Sequence, residues 1–499
     1  MAETLESVPP AAPEPGGSLP RAARLPVWRR ATTGPASIGL AIGAASIGLA
    51  LAYLLKEPCA TNGWANNFQY RHLCYNDIQP LFYVRGIFKG QIPYKDVFVE
   101  YPVLIGSFMY VTGRLLALLV TLHLAGSYRD PQYFNLTALL LAPCSLIVTF
   151  LLRPRVSRGR LLLWAIGTPT ILYSFLNWDL LAVVALVAGI VLAEKRRWLW
   201  AGVALGLGAS AKLYPGFLLP CVVLGAWSLK DKRGAVRSVL GFGAAAVVAN
   251  VPWMVAAWKG WMGIWKFQAG RYPDYGTTWY WLAHIINTYH YAAFWSTNIG
   301  GWGSFIGDAG GLAFGVLTLL ILYSGWRRRD EDGEYPMLPI GLAIMATFLF
   351  VSKVNSPQYA IWVLPLLTLV DIPWWEVGLY LFGDVVLFVS GFYWFTDANF
   401  PGPSGWSSLF EYSVFFRAAI LAVIALTAVG TGRRLLPASE PAVDPSRPSG
   451  RSGAGGEAGG AGAAPAQPGM GRHPVGAGAG RPEREPETEP EAEPELTSP

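Results

Sequence analysis

Between residues 36 and 430 the chain alternates apolar stretches with short basic clusters, and this alternation restricts the fold more than any other feature. The clusters are RPRVSRGR (153–160), EKRR (194–197), KDKR (230–233), RRR (327–329) and GRR (432–434). About 20 apolar residues carry one helix across a bilayer core, and short loops rich in Lys and Arg stay on the cytoplasmic side. The first stretch, 36–55, follows Arg21, Arg24, Arg29 and Arg30. It is too long, and too far from the N-terminus, for a secretory signal peptide. Holding every cluster inside predicts an all-α, polytopic membrane helix bundle of about 12 transmembrane helices with both termini cytoplasmic.

One conflict sharpens this reading. If 102–122 and 134–152 both crossed, the four Arg of RPRVSRGR would lie outside. The segment 102–122 is therefore expected to lie along the outer face, which makes 56–133 one long outer loop containing juxtamembrane helices. A second outer loop is expected at 258–310. Several later stretches, such as 161–176, 180–193, 198–211 and 216–229, have only 14 to 16 residues. Their polar turns NWD, KLYP and SKVNSPQY should then sit below the surface of the outer leaflet. Irregular backbone at that depth is tolerated where it lines a cavity, so a cavity open to the outer face is expected.

Composition agrees: 53% of residues are hydrophobic and 14% charged, against about 25% charged in soluble chains. An ordinary cytosolic enzyme is excluded, and the net charge of +6 reports orientation rather than nucleic-acid binding. Residues 1–35 and 437–499 are rich in Pro, Ala and Gly, the latter closing on a run of Glu. Both read as disordered cytoplasmic segments.

The outer loops hold the candidate chemistry. Cys59 and Cys74, with 14 residues between them, can pair in an extracytoplasmic compartment, whereas Cys144 and Cys221 fall in expected spans as small hydrophobes. Asp77, Asp96 and Glu100 lie next to apolar or aromatic runs. A loop carboxylate is ordinarily solvated or caps a helix, but one facing a membrane-proximal cavity is partly desolvated and suited to general-base work. Trp253, Trp258, Trp261, Trp265, Trp279, Trp281, Trp295 and Trp302 read either as an interfacial belt or as faces for sugar rings. Lys212 interrupts an apolar run; it either snorkels to the interface or neutralises a phosphate there.

The block DIQPLFYVRGIFKGQIPYKD (77–96), followed by EYPVL (100–104), resembles the first-loop signature of GT-C glycosyltransferases, specifically the family 87 polyprenyl-phosphate-mannose-dependent mannosyltransferases of actinobacteria. SAKLYPGFLLP (210–220) and SPQYAIWVLPLL (356–367) are similar to further blocks of those proteins in the same order. YPV at 101–103, where the family commonly has YPP, and the Cys59/Cys74 pair depart from the pattern. The resemblance covers roughly 36–430 and implies a plasma-membrane transferase acting on the outer face. Such an enzyme takes a hexose, mannose by this likeness, from a polyprenyl-phosphate donor to a lipid-linked or envelope-glycan acceptor. Inversion by direct displacement needs one base, for which Asp77 matches the family's catalytic Asp. Lys212 matches the donor-phosphate position with Arg85 as helper, and Asp96, Glu100, Tyr101, Gln358 and Tyr359 would line the substrate pocket. No metal or other cofactor is implied; the partners are the lipid donor, the acceptor and membrane lipids.

Twelve spans with both ends inside also suit a transporter or flippase of lipid or glycan intermediates. Such a protein should show internal repeats and charges at mid-membrane, whereas here no repeat is evident and the informative polar residues gather on one side. A catalytically silent relative of the same fold is the third possibility.

Overall fold

The computed structural model describes residues 28–30, 36–127, 129–290, 300–398, 400 and 402–436. The two segments expected to be disordered lie outside these residues, apart from a short parallel pairing of Trp28–Arg30 with Arg434–Leu436. Helix α1 (Ile38–Asn62) is followed by α2 (Phe68–Arg71), α3 (Ile78–Val84), α4 (Val103–Thr121) and α5 (Asp130–Leu152). Then come α6 (Arg158–Ile166), α7 (Thr168–Tyr173), α8 (Asp179–Glu194), α9 (Trp198–Ala211), α10 (Leu219–Ser228) and α11 (Lys232–Ala256). The remaining helices are α12 (Trp258–Gly270), α13 (Thr278–His290), α14 (Gly300–Asp332), α15 (Met337–Val351), α16 (Ala360–Leu369), α17 (Trp374–Phe395) and α18 (Gly405–Gly430). The fold is that of an all-α polytopic membrane protein. Seven helices among the described residues are long and apolar enough to cross a membrane: α1, α4, α5, α11, the 308–330 part of α14, α17 and α18. Most of the stretches read from the sequence as short spans are shorter apolar helices.

Hydrogen bonds collect the basic clusters at one end of the bundle. Arg153 Nε donates to Ala36 O at 2.8 Å and Arg155 Nε to Glu194 Oε2 at 2.7 Å. Trp198 Nε1 reaches Asp231 Oδ2, while Arg160 Nη1 donates to Leu367 O at 2.9 Å. Asp371 N bonds Arg433 O, and Arg328 ties α14 to the carbonyls of Ala428, Val429 and Gly432. These bonds run from the cluster at 153–160 to Glu194 and from Trp198 to the cluster at 230–233, and they join the cluster at 327–329 to that at 432–434. The helix ends that carry Asp77, Asn177 and Lys212 meet at the opposite end, called here the Asp77 face.

Helix α4 has the length and apolarity of a span, yet both its ends lie at the Asp77 face. Its start is held by Tyr94, whose hydroxyl donates to Tyr101 O and Pro102 O. Beyond its end, Leu124 N and Ala125 N fold back onto Leu119 O. From Ala125 to Asp130 the chain reaches at most about 18 Å, well short of a core about 30 Å thick. Asp130 in turn accepts from Gln79 Nε2 and Tyr83 Oη, both at 3.1 Å. The segment therefore runs along this face, as its position before RPRVSRGR requires.

Lys56 departs from expectation. The loop was to begin there, but α1 continues to Asn62. Buried Lys56 finds the Leu73 carbonyl at 3.4 Å and the Phe388 ring at 5.3 Å, so its amine is accommodated without leaving the helix. Close packing then sets the position of the next cation. A Cβ on Gly202 of α9 would lie 1.9 Å from Ser238 O of α11, and one on Gly241 2.1 Å from Leu199 O. Only small residues let two backbones approach this far, and this contact fixes α9, whose C-cap is Lys212.

Candidate active site

A cavity of about 630 Å³ occupies the Asp77 face, lined by residues of α12, the turns after α9 and α15, and α17. Asp77, Glu100, Tyr101, Lys212, Gln358 and Tyr359 all line it, so most of the expected site residues meet in one place.

Asp77 stands at the N-terminus of α3 without capping it. Asn76 does that work instead, its Oδ1 accepting from Gln79 N at 3.0 Å, which leaves the Asp77 carboxylate free to turn toward the cavity. Asp77 Oδ1 accepts from Tyr75 Oη at 2.7 Å, and Oδ2 from Asn177 Nδ2 at 2.7 Å and Tyr101 Oη at 3.1 Å. Its backbone N bonds Leu176 O, which joins the loop to the turn after α7. Burial raises the proton affinity of this carboxyl above the ordinary range; the Tyr75 hydroxyl, the Lys212 charge, Asn177 and Tyr101 act to lower it. The Asp77 charge and burial push Tyr75 upward, so that phenol stays protonated and donating. A disulfide joins Cys59 to Cys74, with the Cα atoms 5.6 Å apart, and ties the end of α1 to the strand of chain that delivers Tyr75 and Asp77.

Lys212 is 7% exposed, with Nζ 3.2 Å from Asp179 Oδ1 and 4.8 Å from the Tyr101 ring centroid. Asp179 is fully buried and also accepts from Trp362 Nε1 at 2.7 Å. Trp362 stacks with Tyr214 at 4.2 Å and with Tyr359 at 3.6 Å, which makes an aromatic wall next to the ion pair.

Two expected site residues lie elsewhere. Arg85 does not line the cavity: its Nε donates to Glu100 Oε2 at 2.8 Å and its guanidinium lies over Phe98, so it acts behind Glu100. Asp96 is also outside, because its carboxylate closes its own turn by accepting from Ile92 N at 2.8 Å. The tryptophans divide by position. Trp265 lines the cavity; Trp258 is exposed; Trp253 packs edge-on to Tyr94. Trp261 Nε1 donates to Asn250, Trp279 Nε1 to Val351 O and Trp281 Nε1 to Tyr275 O. Trp295 lies outside the described residues, as does the side chain of Trp302.

Asn177 and Asp179 were missed in the sequence. NWD was legible as a polar turn between apolar stretches, but nothing in the spacing showed that two of its side chains point at Asp77 and Lys212. Arg271, Asp274 and Lys353 also line the cavity without having been singled out.

Searches of curated proteins and of solved structures found no match. The profile of glycosyltransferase family 87 matches residues 97–352. That stretch holds Glu100, Tyr101, Asn177, Asp179, Lys212 and Arg271; Asp77 precedes it and Gln358 follows it. With a helical membrane fold, a cavity lined by Glu100, Tyr101, Lys212 and Arg271 and a match over half its length, the chain belongs to glycosyltransferase family 87.

Proposed function

We propose that this membrane glycosyltransferase moves a hexose, mannose by the resemblance of its sequence blocks, from a polyprenyl-phosphate donor to a lipid-linked or envelope-glycan acceptor. Asp77 is the general base. The observation that carries the reading is its carboxylate, aimed into the cavity by three donors and flanked by Lys212. The acceptor hydroxyl gives its proton to Asp77 as its oxygen attacks the anomeric carbon. The bond from that carbon to the phosphate oxygen breaks, the electron pair leaves with the phosphate, and the anomeric centre inverts. Lys212 favours ionised Asp77 and faces the reacting centre, while Glu100, Tyr101, Gln358 and Tyr359 line the sugar and acceptor space. Apolar rings of Phe348, Phe388, Phe392 and Phe395 in the same wall suit the first isoprene units of a lipid donor.

The disulfide favours an oxidising compartment, and the basic clusters at the other end favour a cytoplasmic location there. The Asp77 face is then the outer face of the plasma membrane, where nucleotide sugars are absent and a lipid-borne donor is required.

Membranes carrying the chain are expected to transfer radiolabelled mannose from polyprenyl-phosphate-mannose. Asp77→Asn should lower that rate by about 10²–10⁴-fold, the usual contribution of a positioned base, with thermal unfolding unchanged. Full transfer by Asp77→Asn removes the base assignment.

A further inference from the structure

The donor's phosphate needs a cation with donors to spare, and Lys212 is already matched. Its amine faces Asp179 at 3.2 Å, and that carboxylate is fully buried. Arg85 is held by Glu100 outside the cavity. Two other cations line the wall formed by α12 and the turn after α15: Arg271, the C-cap of α12, and Lys353.

Their partners are few. Lys353 Nζ donates to one neutral acceptor, Ala269 O at 2.7 Å, and no carboxylate among the described residues lies within ion-pairing distance of it. Arg271 Nη2 is 3.7 Å from Asp274 Oδ2, beyond a hydrogen bond, and its guanidinium makes no hydrogen bond among the described residues. Asp274 is shared with Ser356, whose Oγ lies 3.4 Å from the same oxygen. Of the charges around Lys353, Asp308 raises the affinity of its amine for a proton, whereas burial, the larger effect, and Arg271 lower it. Two cations thus sit in one wall of the cavity, with Asp274 within ion-pairing distance of Arg271 and Asp308 acting on Lys353 from further away.

The backbone holds this arrangement. Asp274 N donates to Lys353 O at 2.8 Å, and a Cβ on Gly276 would lie 2.3 Å from Asn355 O, so the two turns are in direct contact. Trp279 Nε1 clamps the end of α15 through Val351 O at 2.7 Å. Phe267 and Phe348 line the cavity on the same two helices, apolar surface beside the cations.

We propose that Arg271 and Lys353 form an anion subsite that holds the phosphate of the lipid-phosphate donor, with Ser356 beside it. The assignment rests on the donor being a lipid phosphate, and it moves the phosphate contact from Lys212 to this wall. Arg offers a planar fork and Lys a point charge, a pairing that suits the oxygens of a phosphate.

The test is binding of farnesyl phosphate to the detergent-solubilised full chain, followed by tryptophan fluorescence, with farnesol and inorganic phosphate as competitors. Arg271→Gln and Lys353→Gln should each weaken farnesyl phosphate by about tenfold, the loss of one charge-assisted contact, and more together. Arg271→Lys and Lys353→Arg should keep most of the affinity. Inorganic phosphate should compete in the wild type and not in the double variant, while farnesol competes equally in both. Equal binding of farnesyl phosphate by the wild type and the double variant overturns the subsite and leaves the lipid-phosphate donor standing. Loss seen only with Lys212→Met returns the phosphate to Lys212. No binding by the wild type overturns the donor reading itself.

Discussion

Two buried ion pairs in this molecule have nearly the same geometry and different surroundings. Lys212 and Asp179 lie 3.2 Å apart, Arg417 and Asp384 3.3 Å, and all four side chains are at most 9% exposed. Arg417 and Asp384 join α18 to α17, with Tyr173 Oη donating to the second Asp384 oxygen at 3.0 Å, and neither lines the cavity. Lys212 does line it, and Asp179 Oδ2 has no hydrogen-bond partner among the described residues. Burying two charges removes hydration that their attraction only partly returns, so such a pair is weak evidence of stabilisation. What distinguishes them is reach: one pair fixes how two long helices meet, and the other places a charge next to the proposed base.

Paired substitutions test that contrast. Lys212→Met should lower sugar transfer by at least about 100-fold, because Asp77 loses its cation and a buried Asp179 is left alone. Adding Asp179→Asn should restore thermal stability without restoring transfer. Arg417→Met should cost about 3–5 kcal/mol of stability through the stranded Asp384, measured by thermal unfolding, and adding Asp384→Leu should restore both stability and transfer. If the Lys212→Met/Asp179→Asn chain transfers sugar at the wild-type rate, the two pairs are equivalent braces and the distinction is lost.

Replacing Cys59 and Cys74 by Ala should cost about 3 kcal/mol, the closure entropy of a loop of this length. Transfer should fall less than with Lys212→Met, since Asn177 and Leu176 still hold Asp77. The smallest effect is on pH. A base works deprotonated, so with Asp77 raised by burial the rate should fall, as pH is lowered, at a value above the ordinary carboxylate range. Removing Lys212, which lowers that proton affinity, should move this limb upward. Removing the Arg417 pair should leave it in place. A limb that shifts equally in both variants would show that bundle packing, not local charge, tunes the base.

How much of this was legible in the sequence depended on the range of the signal. Charge clusters repeat along the chain, so they gave an expected orientation for the bundle and the expectation that 102–122 lies along one face. Asp77 and Lys212 were visible because each interrupts or adjoins an apolar run. Side-chain direction is a different matter. Arg85 and Asp96 share the signature block with Asp77, yet one turns to Glu100 and the other into its own turn, a choice made by backbone angles that residue type does not reveal. Asn177 and Asp179 are 100 residues or more from Asp77 and were seen only as a turn. Arg271 and Lys353 meet through the contact of Gly276 with Asn355, which no periodicity marks. In the stretch 253–302, Arg271 stands among tryptophans whose density gives the pattern of an interfacial belt.

The brevity of α8 and α9 has a consequence for water. Helices of 16 and 14 residues are about 24 and 21 Å long, against a hydrocarbon core of about 30 Å. With Glu194 and Trp198 at one headgroup plane, Asp179 and Lys212 stop about 6–9 Å below the other. The reacting centre is therefore sunk beneath the level at which bulk solvent begins. For the proposed lipid-phosphate donor, such a recess would let the headgroup slide in sideways without leaving the bilayer. On that proposal water, the acceptor present at highest concentration, would have to enter from above, and the depth of the floor would protect the activated sugar from hydrolysis.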